Sequence, residues 1–402
     1  MNECYIYDHA RTPRGRGKPT GGLHGVTAID AVIQILQALR NRNNLDTDSV
    51  EDVILGVCEP YREQGANIAR ASVLGAGYAH SVAGIQVNSF CASGLDAMNI
   101  AAAKVMSGQT DLAVGGGVEM MGRVPMDGAG GSVSTDPTLT ANIGSVLQGV
   151  AADALATIEG FVRRDVDAYA AESQRRAAQA WEEGRFDGAI LPIRDVNGQI
   201  VLDKDEHLRP GTTVETLGNL KPSFPSFAER GFASVLLQRF PEMEAIDFVH
   251  HPGNSSGIVD GASGVLVGSK EAGERCGLKP RAVIRACGSI GSDPSLMLVG
   301  PEKITERLLK KTGMSVGDID LFEVNEAFAS VPLRYMRVFD LDSDIVNVNG
   351  GAIALGHPIG ATGGMLLGTL VDELERADKE VGLVTLCAGL GLSTAAIVER
   401  AA

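Results

Sequence analysis

The amino-acid sequence predicts an α/β protein with a mostly parallel sheet, built from two similar halves. Strand-like and helix-like segments alternate over the first 118 residues, which is typical of a parallel sheet covered by helices. The order of elements in residues 84–118 returns in the last sixty residues. From about residue 119 the chain changes to a loop-rich insertion. We therefore predict an N-terminal half at 1–270, with an inserted loop domain at about 119–250, and a C-terminal half at 271–402.

Apolar residues at strand or helix spacing define each element of the first half. Leu95, Met98, Ala102 and Val105, for example, recur at intervals of three and four, which is the helical period. The predicted elements are strand 4–7, helix 27–40, strand 53–57, helix 67–74, strand 84–87, a helix to about 106, and strand 111–114.

The remaining elements are predicted in the same way. Met120 to Gly149 is rich in glycine, serine, threonine and proline and is expected to be loop. The later predictions are helix 165–183, short strands within 189–202, a helix within 257–276, strands 281–287 and 319–323, a strand-like segment 346–349, helix 361–375 and strand 382–386.

The charge distribution limits the classes of ligand. A net charge of −15 argues against a general nucleic-acid or anionic-membrane surface. Residues 161–239 hold 11 Lys and Arg against 12 Asp and Glu, so this stretch is nearly neutral. If the ligand is anionic, we expect its charged end there.

Cysteine usage and the N-terminal residues predict a cytoplasmic protein. The six cysteines form no CxxC pair, which fits a reducing compartment better than a zinc site or a disulfide framework. Residues 1–10 include Glu3 and Asp8 and no apolar core of a signal peptide. No run of about 18 apolar residues is present, so no membrane span is expected.

Cys91 is the first candidate for chemistry. It lies where strand 84–87 turns into a helix, among small residues that leave room for a ligand. Free N–H groups and the helix dipole favour a thiolate there, so Cys91 is a candidate nucleophile. The alternative is a small buried hydrophobic residue, because free cysteine is among the most buried residue types.

Four further residues could join it. His357 could take a proton from a thiol or donate to an oxyanion, or could simply cap a turn. Cys387 ends an apolar strand and by itself fits a core position. Asn325 and Glu326 follow an apolar run, where α/β enzymes place site residues, although Glu326 could equally complement a helix dipole. Two similar halves packed face to face would bring Cys91, His357 and Cys387 together.

Two other patterns predict no site. His250 and His251 are adjacent and would point to opposite faces of an extended segment, and no carboxylate at suitable spacing joins them, so we expect no metal. The glycine run 115–117 lacks the G-x-G-x-x-G spacing and the following helix of a dinucleotide site.

Read together, these residues resemble the thiolase family over essentially the whole chain. The resemblance rests on five ordered motifs: Asn88-Ser89-Phe90-Cys91-Ala92-Ser93-Gly94; Gly116-Gly117-Val118-Glu119 with Arg123-Val124-Pro125-Met126; Gly253-Asn254-Ser255-Ser256-Gly257-Ile258-Val259-Asp260-Gly261; Asn325-Glu326-Ala327-Phe328-Ala329; and Gly350-Gly351-Ala352-Ile353-Ala354-Leu355-Gly356-His357-Pro358. Within the family the chain most resembles the bacterial fatty-acid β-oxidation thiolases that act as β-subunits of trifunctional complexes.

The resemblance implies a fold, an assembly and a substrate class. The fold would be two βαβαβαββ halves in a five-layered α/β/α/β/α core with an inserted loop domain. The assembly would be a homodimer or homotetramer, with a hydratase/dehydrogenase α-subunit as a further partner. Substrates would be 3-ketoacyl-CoA and CoA, with acetyl-CoA a product, and no cofactor is expected because coenzyme A is a substrate.

The resemblance also implies a mechanism. Cys91 attacks the 3-keto carbon and keeps the acyl group, while Cys387 protonates the acetyl-CoA enolate and later deprotonates the incoming CoA. A thiol, with a reference pKa of about 8.5, can act in both directions. His357 would activate Cys91 and, with a water held by Asn325, stabilise the thioester oxyanion. The N–H groups of Cys91 and Gly389 would stabilise the second oxyanion.

Three more residues are carried over from the family pattern. Glu326 is expected to support these groups without touching substrate. Ser256 matches the serine that contacts pantetheine, and Lys221 falls where the family often has an arginine that contacts the nucleotide. We therefore expect Ser256 and Lys221 to bind coenzyme A.

Some positions depart from the family pattern. Leu390 and Ser393 replace glycines after Cys387, so the turn there could differ if those positions need positive φ. Met120 and Gly122 replace serines, and no histidine occurs in 125–160, where some short-chain thiolases use one.

We expect a degradative 3-ketoacyl-CoA thiolase of fatty-acid β-oxidation. The alternatives are an acetyl-CoA C-acetyltransferase working in the condensing direction and a non-catalytic thiolase-like carrier of acyl-CoA or lipid.

Overall fold

The computed structural model describes residues 2–401. Its strands are β1 Tyr5–Arg11, β2 Gly15–Arg16, β3 Asp52–Gly56, β4 Ala83–Val87, β5 Leu112–Met120, β6 Ile193–Arg194, β7 Ile200–Leu202, β8 Val259–Gly268, β9 Ala282–Gly291, β10 Leu321–Val324, β11 Val381–Cys387 and β12 Leu392–Arg400. Its α-helices are α1 Ala28–Arg42, α2 Ile68–Gly75, α3 Ser93–Met106, α4 Ser132–Thr135, α5 Pro137–Ile143, α6 Gln148–Glu159, α7 Arg163–Glu182, α8 Val214–Gly218, α9 Pro225–Phe227, α10 Ala233–Arg239, α11 Lys270–Cys276, α12 Gly300–Thr312, α13 Ser330–Phe339, α14 Ala352–Leu355 and α15 Ile359–Arg376.

The main sheet shows that the two halves share one topology. Its order is β10-β11-β12-β9-β1-β8-β5-β3-β4, with β2 paired to β8. In the N-terminal half, β3 and β5 are parallel neighbours, and β8 is antiparallel to both β5 and β1. In the C-terminal half, β10 and β11 are parallel neighbours in the same way, and β12 is antiparallel to both β11 and β9. A parallel bridge from Phe322 to Val346 stands in the C-terminal half where β4 stands in the N-terminal half. The repeat predicted from sequence is therefore a repeat of strand order.

Five layers follow from this arrangement. Helices α1 and α2 cover the outer face of the N-terminal half, and α12 and α13 cover that of the C-terminal half. Helices α3 and α15 lie between the two parts of the sheet, in a third apolar cluster that includes residues of β5, β8, β11 and β12. The predicted five-layered thiolase fold is confirmed.

The two central helices touch through their backbones near their N-termini. A Cβ added at Gly94 would lie 2.4 Å from the Gly360 carbonyl oxygen, and one at Gly363 would lie 2.1 Å from the Leu95 nitrogen. Only glycine allows helices to approach this closely. The contact brings the segment ahead of α3, which holds Cys91, next to the segment ahead of α15, which holds His357.

Four sequence predictions are wrong in detail. The sheet is mixed, because the fifth strand of each half returns antiparallel to its neighbours. Of the helix expected near 257–276, only residues 270–276 are helical, as α11, and residues 259–268 form β8; this strand is buried along its whole length, so it shows no alternation. Residues 346–349 contribute only a bridge, with Asn347 at φ 49°. Residues 120–149 contain α4, α5 and the start of α6.

The segment 121–258 connects β5 to β8, which are neighbours in the sheet. Its longest helix, α7, packs against α13 and α14 of the C-terminal half. The division at 270/271 stays a prediction. No single helix among the described residues is long and apolar enough to cross a membrane, although α5–α6 and α7, bent by 114°, reach that length and composition as a pair.

Candidate active site

The turn between β4 and α3 presents Cys91. Phe90, just before it, has the left-handed value φ 54°. Side chains of the same turn hold this conformation: Asn88 Oδ1 accepts from the Phe90 N–H at 2.9 Å, and Ser93 Oγ donates to the Phe90 carbonyl at 2.6 Å. Ser93 Oγ also accepts from the Ser89 N–H at 2.9 Å. The backbone at Cys91 is therefore fixed by hydrogen bonds encoded within six residues.

The surroundings of Cys91 keep it a thiol at rest. The pKa of Cys91 is raised to about 11, chiefly by burial and to a smaller extent by the nearby Glu119 carboxylate. The Gly389 N–H, the Gln148 side chain and the N–H of Cys91 itself act in the opposite direction and lower that pKa. Because these donors favour the charged form, they are the groups that would stabilise negative charge as it develops.

His357 is a neutral base with a defined tautomer. Its Nδ1 lies 2.6 Å from Thr362 Oγ1, and that hydroxyl donates to the Pro358 carbonyl at 2.9 Å. Since the single hydroxyl proton is used there, Nδ1 carries the imidazole proton and Nε2 is free to accept. Burial, and then the charge of Arg14, lower the pKa of His357 to about 3. The ring is therefore uncharged at neutral pH.

Asn325 lies at the end of β10, against that free nitrogen. Its Nδ2 is 3.3 Å from His357 Nε2, and its backbone N–H donates to the Thr385 carbonyl of β11 at 3.0 Å. Its Oδ1 is buried and has no hydrogen-bond partner in the described part of the chain. A buried amide oxygen without a partner is costly, and it provides a place for a water or a ligand donor.

Cys387 completes the group from the C-terminal half. It is the last residue of β11 and is fully buried. Burial, and then the neighbouring Cys91, raise its pKa well above the usual range, so it is a thiol. The two cysteines thus face the same space from opposite halves of the molecule.

The turn after Cys387 combines strain and regular structure. Gly389–Gly391 forms a 3₁₀ turn in which Leu390 has φ 58° and Gly391 has φ 76°. Ser393 already belongs to β12 and pairs with Cys387 across the hairpin. Of the two replaced glycines, only the one at Leu390 therefore introduces a left-handed residue.

Glu326 organises the approach to His357. Its buried carboxylate accepts from Ser173 Oγ at 2.7 Å, Tyr169 Oη at 2.9 Å and the Ile353 N–H at 3.0 Å. A Cβ at Gly351 would lie 2.4 Å from the carboxyl carbon. Burial raises the pKa of Glu326. Glu326 therefore connects α7 to α14, and its contact in α14, Ile353, lies four residues before His357.

The two residues expected to bind coenzyme A are placed differently. The Ser256 N–H donates to the Ala327 carbonyl at 2.9 Å, and the next carbonyl, Gly257 O, accepts from the His357 N–H at 2.9 Å. The backbone at Ser256 is thus hydrogen-bonded between the segment after β10 and the segment that holds His357. Lys221 is exposed in the segment after α8 and has no hydrogen bond to the other site residues in the part of the chain described.

His250 and His251 are buried and point to separate partners. His250 Nδ1 lies 2.8 Å from Asp153, and His251 Nε2 lies 2.8 Å from Asp167. Among residues 2–401 no group of three or more histidine, cysteine or acidic side chains is arranged to hold a metal.

Sequence reasoning missed several residues of the site. Gln148 lies in a segment expected to be loop, and Arg14 and Glu119 are remote in sequence from the groups they influence. Glu119 accepts from the Cys58 N–H at 2.8 Å and from the Gly360 N–H at 3.0 Å, so it joins the segment after β3 to the start of α15. Thr362 could have been suspected from its position one helical turn after Pro358.

The fold and site define a thiol-dependent enzyme, with one cysteine in each half and a neutral histidine between an amide and a hydroxyl. The thiolase N-terminal domain matches residues 4–231 and the thiolase C-terminal domain matches residues 278–400. The chain therefore belongs to the thiolase family, whose members are acyltransferases.

Individual relatives agree with this assignment. The chain is 38% identical to a protein named 3-ketoacyl-CoA thiolase of Photobacterium profundum and 39% identical to one of Colwellia psychrerythraea, in each case over the whole of both chains. The crystal structure of the Bacillus anthracis acetyl-CoA acetyltransferase superposes with a TM-score of 0.86 at 32% identity, covering 100% of this chain and 99% of that chain.

Proposed function

We propose that the protein is a 3-ketoacyl-CoA thiolase of fatty-acid β-oxidation, which uses CoA to cleave 3-ketoacyl-CoA into acetyl-CoA and a shortened acyl-CoA. The observation that carries the proposal is the meeting of two protonated thiols with a neutral His357, whose Nε2 is unprotonated. Full-length relatives named for this activity support it.

In the first half-reaction, His357 Nε2 takes the proton of Cys91 as the sulfur attacks the 3-keto carbon. The N–H groups of Cys91 and Gly389 stabilise one oxyanion, while protonated His357 and a water held by Asn325 stabilise the other. The bond between C2 and C3 then breaks, and its electron pair forms the enolate of acetyl-CoA. Cys387 donates its proton to the enolate carbon, which leaves an acyl-Cys91 thioester and a Cys387 thiolate.

In the second half-reaction, the Cys387 thiolate removes the proton of incoming CoA. The CoA sulfur attacks the acyl carbon, and Cys91 leaves and regains its proton from His357. Both cysteines return to the thiol state, so protons and electrons balance over the cycle. Because both thiols have raised pKa values, each becomes a thiolate only during the step in which it transfers its proton.

The remaining residues have supporting roles in this proposal. Glu326 positions the segment that leads to His357. Ser256 lies beside the same segment and is proposed to contact the pantetheine arm. Lys221 is exposed and is proposed to meet the nucleotide end of coenzyme A.

The direct test mixes purified protein with 3-ketoacyl-CoA substrates of several chain lengths and CoA, and follows the loss of enolate absorbance. Turnover that is absent in Cys91→Ala is the expected result. Absence of turnover at every chain length would refute the proposal, and turnover by Cys91→Ala would refute the assignment of the nucleophile.

An acetyl-CoA C-acetyltransferase is the second candidate, because the superposed Bacillus anthracis structure carries that title. The ratio of rates on a long-chain 3-ketoacyl-CoA and on acetoacetyl-CoA separates the two activities. A third candidate, a carrier without catalysis, predicts no acyl adduct on Cys91 by mass spectrometry after incubation with acyl-CoA.

We also propose a homo-oligomer that works in the cytoplasm, needs no cofactor and pairs with a hydratase/dehydrogenase α-subunit. Strand β4 supports self-association, because in the described part of the chain it is the last strand of the sheet and pairs only with β3, and it is only partly buried. An exposed edge strand is a ready site for pairing with another chain. Sedimentation of the purified protein would test the oligomer.

A further inference from the structure

Gln148 is a polar residue in an apolar part of the site. It is the first residue of α6 and is flanked by Val146, Leu147, Gly149 and Val150. Val146 and Val150 belong to the same buried apolar cluster as Cys387. Helix α6 is itself fixed to α13, because Ser330 Oγ donates to the Ala152 carbonyl at 3.4 Å. The position of Gln148 beside the two cysteines is therefore set by a rigid helix.

The amide nitrogen of Gln148 is left without a partner among the described residues. Its Nε2 is buried and makes no hydrogen bond in the described part of the chain. Leaving a buried amide donor unsatisfied destabilises the folded protein. An apolar side chain would avoid that cost at this position, so the amide needs a reason in the chemistry of the site.

We propose that Gln148 is a third hydrogen-bond donor to the sulfur of Cys91, acting beside the N–H groups of Cys91 and Gly389. The side chain lies on the Cys91 sulfur closely enough to oppose the effect of burial on its pKa. The inference deepens the proposed function and rests on it only for the consequences in turnover.

The donor would act mainly where the sulfur carries charge. In the first half-reaction the sulfur gives up its proton to His357 and attacks carbon. In the second half-reaction the bond from sulfur to the acyl carbon breaks and its electron pair returns to sulfur. A donor aimed at sulfur stabilises this leaving thiolate, because hydrogen bonds to charged groups are about twice as strong as neutral ones. Loss of the donor should therefore slow release of the acyl group.

The orientation of the amide distinguishes this role from simple packing. With Nε2 toward sulfur, the side chain stabilises a thiolate; with Oε1 toward sulfur, it would accept from a thiol and stabilise the neutral form. Gln148→Met retains length and removes the donor. Gln148→Glu retains shape and places an acceptor carrying negative charge beside the sulfur.

The test measures the rate at which iodoacetamide alkylates Cys91, identified by peptide mass spectrometry, at several pH values from 7 to 10. We expect the rate at pH 8 to fall about tenfold in Gln148→Met, since a charged hydrogen bond corresponds to about one pKa unit, and to fall further in Gln148→Glu. Gln179→Met, at an exposed position of α7, is the matched control and should react like the parent. The fraction of acyl-Cys91 during turnover should rise in Gln148→Met.

Identical alkylation profiles of the parent and Gln148→Met would overturn the inference, as would a faster rate in Gln148→Met. Should Gln148→Met fail to fold, Gln148→Asn replaces it, because its amide is retained on a shorter chain that cannot reach the sulfur. Alkylation needs no CoA substrate. A shifted profile in a protein without thiolase turnover would therefore refute the proposed function and leave the donor in place.

Discussion

Phe90, beside Cys91, and Leu390, in the turn after Cys387, occupy the same left-handed backbone region, with φ values of 54° and 58°. Such a conformation costs a residue with a side chain about 1–2 kcal/mol. In the Cys91 turn, hydrogen bonds from Asn88 and Ser93 offset this cost locally. In the Cys387 turn the support is tertiary: Ser292 donates from its N–H at 2.7 Å and from Oγ at 2.8 Å to the Gly391 carbonyl. The left-handed residue of the first turn is thus held by side chains of the turn itself, whereas the second turn receives its side-chain hydrogen bond from a distant loop.

The largest expected effect separates the roles of the two cysteines. Cys91→Ser should lower kcat on the order of 10⁶-fold, because the nucleophile is lost. Cys387→Ser should lower kcat about 10²–10⁴-fold, because an acid–base step is lost. After long incubation with acyl-CoA, mass spectrometry should find an adduct on Cys91 in Cys387→Ser and none at position 91 in Cys91→Ser. An adduct missing from both variants would contradict this division of roles.

A change at Gly391 should disturb the tertiary support. Its φ is 76°, and an added Cβ would lie 2.5 Å from the Ser292 carbonyl oxygen. We expect Gly391→Ala to lower the free energy of unfolding by about 2–4 kcal/mol, from strain together with the clash. Gly277→Ala is the control, because Gly277 has φ 67° with no atom within 4 Å of the added Cβ. Equal losses in urea unfolding would show that the Ser292 contact contributes nothing.

Removing the local support of the first turn should cost less. Asn88→Ala deletes the acceptor for the Phe90 N–H and the donor to the Cys58 carbonyl. We expect the free energy of unfolding to fall by about 1 kcal/mol, because the lost hydrogen bonds lie in an exposed turn. We also expect kcat to fall, because the turn no longer holds Cys91 in place. Asn219→Ala, which removes a surface hydrogen bond to the Glu215 carbonyl, serves as the comparison. Unchanged kcat in Asn88→Ala would argue against local encoding of the nucleophile turn.

The smallest effect is expected at Leu390. Leu390→Gly should raise the free energy of unfolding by up to about 1 kcal/mol, because glycine adopts positive φ without the steric penalty. The greater freedom of glycine in the unfolded chain offsets part of this gain. Leu390→Ala keeps the strain and removes only the rest of the side chain. Thermal unfolding of the two variants should therefore differ in favour of glycine. A lower stability of Leu390→Gly than of Leu390→Ala would mean that the strain is not relieved.

Most elements around the site could be predicted from local sequence. The periods of residues 95–105 and 361–375 predict α3 and α15, and each candidate for catalysis lies at the end of an apolar run. Prediction was wrong for β8, because a strand buried on both faces has no alternation to distinguish it from a buried helix. The position of Gln148 could not be predicted, since it depends on how α6 packs against α13.

The sequence by itself determined the family, the two halves and the residues with reactive side chains, because these are properties of ordered motifs and short-range spacing. It also determined the Cys91 turn, whose hydrogen bonds lie within six residues. The meeting of Cys91, His357 and Cys387 was predicted from the repeat, but only the tertiary structure decided the surroundings of these groups. The tautomer of His357, the burial that keeps both thiols protonated and the contact from Ser292 to Gly391 all arise between segments far apart in the chain. Desolvation and long-range hydrogen bonds exist only after the layers have packed, so no local pattern can specify them.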